Sequence, residues 1–326
     1  MVSHVLHNRA STVRVSEATA ERVRKAAEEL GYRCNVWARN FRTQRTNTIG
    51  VLHGVGFSRP RFDFGSRYFA ALMDGIVDGV FDHGYSLTLC PQLLGERPLD
   101  AISDGRFDGL VWYSSQPTAM SRKILADSDV PLVVIHSRLQ DVDDLHPCVI
   151  CDNEQGIGLA VEHLVELGHR EIGFAIEVNP TTTEELERQR AFFKHMERVG
   201  YPRTDRDLIE VQPNGDGISD YLRAPRHTAI IAYHDGLAGL FLLQAPEHGL
   251  TIPQDLSIVG FDSTSFCREM RPSLTSVHQP LQEMGKKAIE LLIPLINGEA
   301  DRIEEAVLPC RLDIRESTAT PKRAHQ

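Results

Sequence analysis

The sequence has no run of apolar residues that approaches the roughly 18 needed for a membrane-spanning helix. Its first residues also lack the apolar core of a secretory signal peptide. Only six cysteines occur in 326 residues, at positions 34, 90, 148, 151, 267 and 310. These absences argue against a membrane protein and against a disulfide-rich secreted protein, so we expect a cytoplasmic protein with reduced cysteines.

Signatures of common enzyme classes are also missing. The sequence contains no G-x-x-x-x-G-K-[ST], no G-x-G-x-x-G, no G-x-S-x-G and no H-E-x-x-H. Cys148 and Cys151 form a C-x-x-C, but no second C-x-x-C accompanies it, and three residues along a strand put the two thiols on opposite faces. We therefore predict no enzyme, no cofactor and no metal site.

The net charge of −10 is unevenly distributed along the chain. Residues 1–49 carry nine Lys and Arg against four Asp and Glu, whereas the remainder carries 26 against 41. A solvated charged face would explain such a basic segment. A basic segment on an acidic body also suits a separate attachment to a polyanion.

The pattern of apolar residues changes near Thr48. Before it, Ser16 is a good N-cap for a helix that continues through Leu30 and ends at Gly31. After it, short apolar strands alternate with amphipathic helices, which is typical of parallel α/β sheets, and the number of strands favours two lobes over one sheet. A last pair of strands is predicted near Ala306–Leu308 and Cys310–Ile314.

Polar residues follow several of the predicted strands, where open α/β sheets bind ligands. Asp152, Asp235 and Asp262 each follow an apolar strand, and Arg188 lies in the first turns of a helix after another. Each aspartate could instead cap the helix that it precedes. Carboxylates and an arginine at a cleft shared by two lobes suggest a small polar ligand such as a sugar.

Several long segments resemble the LacI/GalR family of transcriptional regulators. They are "VSEATAERVRKAAEELGY", "N-x-x-A-R" from Asn35, "RTNTIGVL", "VICDNEQGIGLAVEHLVELGHREIGF" and "DLSIVGFDSTSF…RPSLTSVHQPLQEMGKKAIELL". The resemblance covers nearly the whole chain. It implies a two-lobed, periplasmic-binding-protein-like core of two parallel doubly wound sheets, preceded by a helix-turn-helix headpiece whose first helix is absent from this sequence.

The resemblance implies the following domains. Residues 1–34 are a partial headpiece, 35–47 a hinge helix, 48–316 the effector-binding and dimerisation core, and 317–326 a flexible tail. Lobe 1 comprises about 48–150 plus 278–305, and lobe 2 about 151–277 plus 306–316.

The same resemblance implies a dimeric repressor that binds a pseudopalindromic operator and responds to a small effector, most commonly a sugar and in some members a nucleobase. Ser3 and His4 would face DNA from the recognition helix, unless they lie on a solvated face. Asn35 and Arg39 would belong to the hinge helix, and Phe41 would take the place of the family's intercalating leucine.

In the core, the resemblance assigns effector binding to Arg188, Asp235 and Asp152. Phe64 and Arg67, in a loop of the first lobe, would contact the ligand as well. Asp262 ranks lower, since it more often holds a turn. The alternative to a repressor is a small-molecule-binding module that has lost DNA binding through N-terminal truncation, and an α/β enzyme is the third reading.

Overall fold

The computed structural model describes residues 15–32, 45–53, 67–90, 102–113, 126–143, 145–180, 182–201, 204–212, 214–300 and 303–322, and also residues 5, 40, 122 and 123. The chain divides into two compact units, residues 1–46 and residues 47–326.

Helix α1 (Glu17–Glu29) is the described element of the first unit, and it begins and ends where the sequence predicts. The Ser16 side chain accepts a hydrogen bond from the backbone N–H of Thr19 at 3.3 Å, which satisfies one of the unpaired donors of the first turn. Gly31 ends the helix with a φ of 61°, a left-handed conformation that costs glycine little.

Lobe 1 of the second unit is built on a six-stranded sheet in the order β2-β1-β3-β4-β5-β11, and all of its pairs are parallel. Numbered in chain order, its strands are β1 (Thr48–His53), β2 (Ser86–Cys90), β3 (Gly109–Tyr113), β4 (Leu132–Ile135), β5 (Cys148–Cys151) and β11 (Glu305–Leu308). Its long helices are α2 (Arg67–Asp82) and α8 (Leu281–Asn297).

Lobe 2 is built on a second six-stranded sheet in the order β7-β6-β8-β9-β10-β12, parallel except for the β10–β12 pair. Its strands are β6 (Ile172–Glu177), β7 (Leu208–Val211), β8 (Ala229–Ala232), β9 (Ser257–Asp262), β10 (Thr275–His278) and β12 (Arg311–Asp313). Its helices are α3 (Asn153–Glu166), α4 (Thr183–Arg198), α5 (Ile218–Arg223), α6 (Asp235–Gln244) and α7 (Phe266–Glu269).

The positions of the final two strands differ from the predicted boundary between the lobes near residue 306. They do not form a pair, because β11 joins β5 in lobe 1 whereas β12 joins β10 in lobe 2. Residues 306–308 therefore belong to lobe 1, although the sequence assigned them to lobe 2. The cause is a crossover between the lobes after Leu308, which an apolar pattern does not reveal.

The C-terminal segment requires a second correction. Residues 317–322, predicted as part of a flexible tail, pack against lobe 2. Ser317 is buried, donates from its Oγ to the carbonyl of Ile258 and accepts from the backbone N–H of Thr275. Lys322 Nζ lies 2.5 Å from Asp255 Oδ1. These backbone and side-chain bonds fix a segment whose polar composition gives no sign of packing.

The central strands are apolar on both faces because helices cover both sides of each sheet. Strand β5, with the sequence CVIC, is fully buried. Cys148 and Cys151 lie in separate core clusters, as their predicted positions on opposite faces require. The two thiols of this C-x-x-C therefore do not face one another.

Helices α2 and α8 cross closely through two glycines. A Cβ added to Gly75 would lie 1.8 Å from the backbone oxygen of Gln282, and one added to Gly285 would lie 2.3 Å from that of Leu72. This contact packs α8, from the C-terminal part of the chain, against α2 in lobe 1.

Candidate functional site

A cavity of about 410 Å³ lies between the two lobes at the carboxyl ends of the strands. Lobe 1 contributes Arg67, Tyr68 and Tyr113. Lobe 2 contributes the larger set, Thr182, Glu184, Glu185, Arg188, Tyr233, His234, Asp235, Gly236, Asp262, Thr264 and Phe266. We call this cavity the cleft.

Arg188 lies in the cleft, where the sequence predicts an effector-binding arginine. Its Nε donates to Asn153 Oδ1 at 2.9 Å, its Nη1 to the carbonyl of Tyr233 at 2.7 Å, and its Nη2 to Gln279 Oε1 at 3.1 Å. Burial opposes the charge, but the Asp262 carboxylate and other nearby groups raise the pKa of Arg188 above its ordinary value. The guanidinium is thus a fixed cation.

Asp262, which the sequence ranks low, is the carboxylate nearest to Arg188. Its Oδ1 lies 3.6 Å from Arg188 Nη1, and this buried oxygen has no hydrogen-bond partner in the part of the chain that the structure describes. Burial raises the pKa of Asp262 well above its ordinary value, although Arg188 lowers it. A buried acceptor without a donor is costly, so this oxygen is suited to receive one from a ligand.

The backbone at Asp262 is strained as well. Asp262 has a φ of 107° and Ser263 a φ of 49°, so two consecutive residues that are not glycine occupy positive φ at the end of β9. Such conformations concentrate at ligand-binding positions, where the surrounding structure holds a side chain in place. The sequence gives no sign of this strain.

Asp235 is engaged by its own lobe. Its Oδ2 accepts from the backbone N–H and the hydroxyl of Thr264, and its Oδ1 accepts from Ser276 Oγ at 2.5 Å. Burial raises the pKa of Asp235, and hydrogen bonds from Ser276 and others oppose this rise. The carboxylate thus links the segment after β9 to β10. The contact of Asp235 with an effector stays a prediction.

His234, and not Asp235, caps helix α6. Its Nδ1 accepts from the backbone N–H of Leu237 at 2.9 Å, which leaves Nε2 as the protonated nitrogen of the neutral ring. Burial and then Arg188 lower the pKa of His234 to about 4. The ring is therefore a neutral donor in the wall of the cleft.

Asp152 lies elsewhere. Its side chain caps helix α3 by accepting from the backbone N–H of Gln155 at 2.9 Å, as the structural alternative from the sequence predicts. It lines an outer groove with Arg138, His195 and Arg198 and is not among the described residues of the cleft. Its contact with an effector stays a prediction that this position does not support.

Arg67 reaches across the mouth of the cleft from lobe 1. Its Nη1 and Nη2 lie 2.6 and 2.8 Å from the two carboxylate oxygens of Glu269, and Nη1 also donates to Ser265 Oγ at 3.2 Å. Arg67 lines the cavity, but this bidentate pair with lobe 2 occupies its guanidinium. Phe64, predicted as its neighbour in ligand binding, lies outside the described residues.

Three further side chains of the site did not emerge from the sequence. His136, after β4, places Nδ1 at 2.5 Å from Glu184 Oε1 and Nε2 at 2.8 Å from the hydroxyl of Tyr68. Although burial opposes it, the contact with His136 lowers the pKa of Glu184. A signal was available, because His136 ends the apolar run VVIH and Glu184 lies one helical turn before Arg188.

Comparison with known proteins identifies the family. Residues 161–318 match the model of a periplasmic binding protein-like domain. The HTH-type transcriptional repressor PurR of Photobacterium profundum is 31% identical over 313 residues, which cover 91% of this chain and 88% of the repressor. The chain belongs to the LacI family of transcriptional regulators.

Solved structures of other regulators share this architecture. A LacI family transcriptional regulator from Enterococcus faecium with bound ribose is 27% identical, with a TM-score of 0.71, and the match covers 84% of this chain and all of that one. The cellobiose complex of the regulator CelR is 25% identical, with a TM-score of 0.73, and the match covers 97% and 94%. The prediction of a two-lobed, periplasmic-binding-protein-like core is confirmed.

The positions that this LacI-family chain would use on DNA fall outside the described residues. They are Ser3, His4, Asn35, Arg39 and Phe41, and their roles stay predictions. Across the described segments, no group of three or more His, Cys, Asp and Glu could hold a metal ion. No helix in those segments is both long and apolar enough to cross a membrane.

Proposed function

We propose that this LacI-family regulator is a repressor that binds a pseudopalindromic operator as a dimer and changes its operator affinity when a small sugar enters the cleft. One observation carries the proposal, namely the unpartnered carboxylate oxygen of Asp262 beside the fixed guanidinium of Arg188. A carboxylate and an arginine side by side suit vicinal hydroxyls, which donate and accept in pairs. The bound ribose and cellobiose of the related regulators support a sugar.

The aromatic side chains of the cleft also support a sugar ligand. Tyr68, Tyr113, Tyr233 and Phe266 are among its lining residues. Tyr68 and Tyr113 lie with ring centroids 6.5 Å apart. Aromatic faces pack against the apolar C–H faces of a sugar ring, while the polar groups take its hydroxyls.

A dimer is supported by apolar side chains that lobe 1 exposes. Val77 and Phe81 lie one turn apart on helix α2 and are 47% and 82% exposed, and Leu89 on the edge strand β2 is 39% exposed. Neighbouring exposed apolar side chains on a helix and an edge strand are typical of a surface that is buried by association. We assign this surface to a second copy of the chain.

Coupling between the cleft and DNA would use relative movement of the lobes. Effector contacts that differ between two lobe arrangements shift the balance between them, and with it operator affinity. We also place the protein in the cytoplasm with its DNA target and assign it no enzymatic activity, in keeping with relatives that are transcriptional regulators.

The test is selection of DNA sequences from a random duplex library by the full chain, followed by anisotropy measurements on the selected duplex. We expect enrichment of a pseudopalindrome, and a change in its affinity on addition of a sugar that also raises the melting temperature of the protein. Failure to enrich any sequence, together with retained sugar binding, would support the alternative of a binding module without DNA function.

A further inference from the structure

In the part of the chain that the structure describes, three segments cross between the lobes. The first, at Asp152, joins β5 to α3, the second, at residues 279–280, joins β10 to α8, and the third, at residues 309–310, joins β11 to β12. Movement of one lobe relative to the other is taken up in such connections. Two of these crossing segments carry a cysteine, because Cys151 directly precedes the first and Cys310 ends the third.

The thiols of Cys151 and Cys310 lie side by side. Strand β11 runs parallel to β5 with Leu308 opposite Cys151, and the backbone N–H of Asp152 donates to the carbonyl of Leu308 at 2.8 Å. Two residues beyond Leu308, the Cys310 thiol lies within hydrogen-bonding reach of the Cys151 thiol. Both side chains belong to one apolar cluster, whereas Cys148 belongs to another. Two cysteines far apart in the sequence are thus neighbours at the hinge.

The two thiols are not equivalent. Hydrogen bonding to Cys310, together with burial, raises the pKa of the Cys151 thiol well above its ordinary value. The contact with Cys151, assisted by Arg188 and opposed by burial, lowers the pKa of the Cys310 thiol. Cys310 is also the more exposed of the two, at 7% against 1%. Since the thiolate is the nucleophilic form, Cys310 is the thiol that reacts first and Cys151 its partner.

A small oxidant can approach Cys310 from the outer groove. The backbone N–H of Cys310 donates to Gln155 Oε1 at 2.8 Å. Gln155 lines this groove, which has a volume of about 500 Å³, together with Asp152 from the first crossing segment and Val307 from β11. The groove therefore passes beside the crossing segments on which the two thiols lie.

The thiol pair is also close to the buried arginine of the cleft. Cys151 Sγ lies 3.3 Å from Asn153 Oδ1, and the same oxygen accepts from Arg188 Nε at 2.9 Å. Arg188 donates as well to Gln279, in the second crossing segment. A bond between the two sulfurs would join the first crossing segment to the third beside this arginine.

We propose that Cys151 and Cys310 form a reversible redox site, which hydrogen peroxide oxidises to a disulfide that ties two of the crossing segments together. The Cys310 thiolate attacks one peroxide oxygen, an S–O bond forms as the O–O bond breaks, and the departing hydroxide takes a proton to become water. The Cys151 sulfur then attacks the sulfur of the sulfenic acid at Cys310. An S–S bond forms as the S–O bond breaks, and the Cys151 proton leaves with the hydroxide as a second water.

The disulfide restricts movement of the lobes. It links the end of β5, in lobe 1, to the residue that precedes β12, in lobe 2. A regulator whose lobes must rearrange therefore responds less to its effector when it is oxidised. This consequence rests on the proposed function, whereas formation of the disulfide does not. Exchange with cellular dithiols reverses the bond, as is usual for disulfides that form in a reducing compartment.

Peptide mapping of the full chain tests for the disulfide. The reduced protein is treated with hydrogen peroxide, unfolded in the presence of iodoacetamide and digested with trypsin without reduction. We expect a species that joins the tryptic peptides 139–170 and 303–311 and that is lost on treatment with dithiothreitol. No linked species, or oxidation of Cys310 to the sulfinic acid in its place, overturns the inference.

Three variants locate the bond. Cys151→Ala and Cys310→Ala should each abolish the linked species. Cys148→Ala is the matched control, because Cys148 lies on the same tryptic peptide and is equally buried but belongs to the other apolar cluster, so the linked species should remain. Fragmentation of the linked peptides from the native protein identifies the bonded cysteine even where a variant fails to fold. A bond at Cys148 would contradict the assigned pair.

Amide hydrogen exchange tests the restriction without any ligand. The backbone N–H groups of Asp152 and Cys310 are hydrogen-bonded within the crossing segments, so their exchange requires these segments to open. We expect both to exchange more slowly in the oxidised native protein than in the reduced one, and peroxide to have no such effect on Cys310→Ala. Equal exchange rates in a fully linked protein would show that the bond does not restrict the hinge.

The regulatory consequence is measured on the selected operator duplex with ribose and cellobiose as the probes. The oxidised protein should lose most of the change in operator affinity that a sugar causes in the reduced protein, and dithiothreitol should restore it. An undiminished change in the linked protein overturns the regulatory role. If the reduced protein responds to neither sugar, the proposed effector class fails, while the linked peptides still decide whether the redox site exists.

Discussion

At the scale of single residues, two aspartates of the cleft that look alike in the sequence have different surroundings in the structure. Asp235 and Asp262 each follow an apolar strand, and both are buried. Hydrogen bonds from Thr264 and Ser276 engage Asp235, whereas Asp262 Oδ1 has no partner in the described structure. The first aspartate stabilises the lobe, and the second is free to serve a ligand.

Replacing Asp235 tests its bracing role. Asp235→Ala removes the acceptor of the half-buried Thr264 N–H and of the buried Ser276 hydroxyl, so we expect it to lower the free energy of unfolding by about 2–4 kcal/mol without any ligand. Urea unfolding followed by circular dichroism measures this loss. Unchanged stability with lost effector response would show that Asp235 contacts the ligand directly.

The pH dependence of stability in an Asp262 variant tests the environment of this carboxylate. Its folded pKa is raised mainly by burial, so its contribution to stability is present below the unfolded pKa and is lost as pH rises through the folded pKa. Asp262→Asn cannot titrate. We therefore expect the stability of the variant relative to the native protein to be greater at about pH 8 than at about pH 5.

Paired urea titrations at the two pH values provide the measurement, and only the difference between the proteins matters. Titrating groups that do not interact with Asp262 are common to both chains and cancel, so the difference reports on Asp262 together with Glu184 and Asp235, the carboxyls that interact with it. A difference that is constant or that shrinks toward high pH contradicts the assigned shift.

At the scale of elements, much of the architecture follows from the sequence. The Ser16 cap, the apolar strands and the position of Arg188 after β6 could be predicted because each depends on neighbouring residues. The contact of His136 with Glu184 could not, because it joins the two lobes across 48 positions. The same holds for the placement of β11, which depends on where the chain crosses between sheets.

The crossing of α2 and α8 offers a test at this scale. Gly75→Ala puts a methyl group where the backbone of Gln282 lies, so the helices must separate. We expect a loss of about 1–3 kcal/mol in the free energy of unfolding, despite the better helix propensity of alanine. The exposed substitution Ala70→Ser in the same helix is the control and should change stability by less than about 0.5 kcal/mol. A Gly75→Ala protein as stable as the native one would show that the helices move apart at little cost.

At the scale of the core, ionic contacts join the two lobes without any ligand. Arg67 pairs with Glu269 at the mouth of the cleft, and Arg138 pairs with Glu187 and, at 3.0 Å, with Glu305. Both contacts to lobe 2 favour a closed arrangement of the lobes. The Arg67–Glu269 pair, whose glutamate is exposed, should weaken as salt is added.

Removing one of these pairs should open the core. We expect Arg67→Gln to increase the radius of gyration of the ligand-free protein in small-angle scattering at low salt, and the difference from the native protein to fade at high salt. Arg223→Gln breaks a pair with Asp220 inside one helix of lobe 2 and is the control. An identical radius at low salt in the Arg67 variant would show that other contacts hold the lobes together.

The return of α8 and β11 to lobe 1 has a consequence for synthesis on the ribosome. Strand β5 ends at Cys151, but the helix that packs on α2 begins at Leu281, about 130 residues later. At ordinary elongation rates the interval is on the order of ten seconds, during which lobe 1 lacks one helix and one edge strand. Lobe 2, whose first five strands and their helices are contiguous in the chain, can form most of its sheet earlier. The order of folding is therefore the reverse of the order of translation, and a nascent chain stalled before α8 would expose the apolar faces of α2 and of β5.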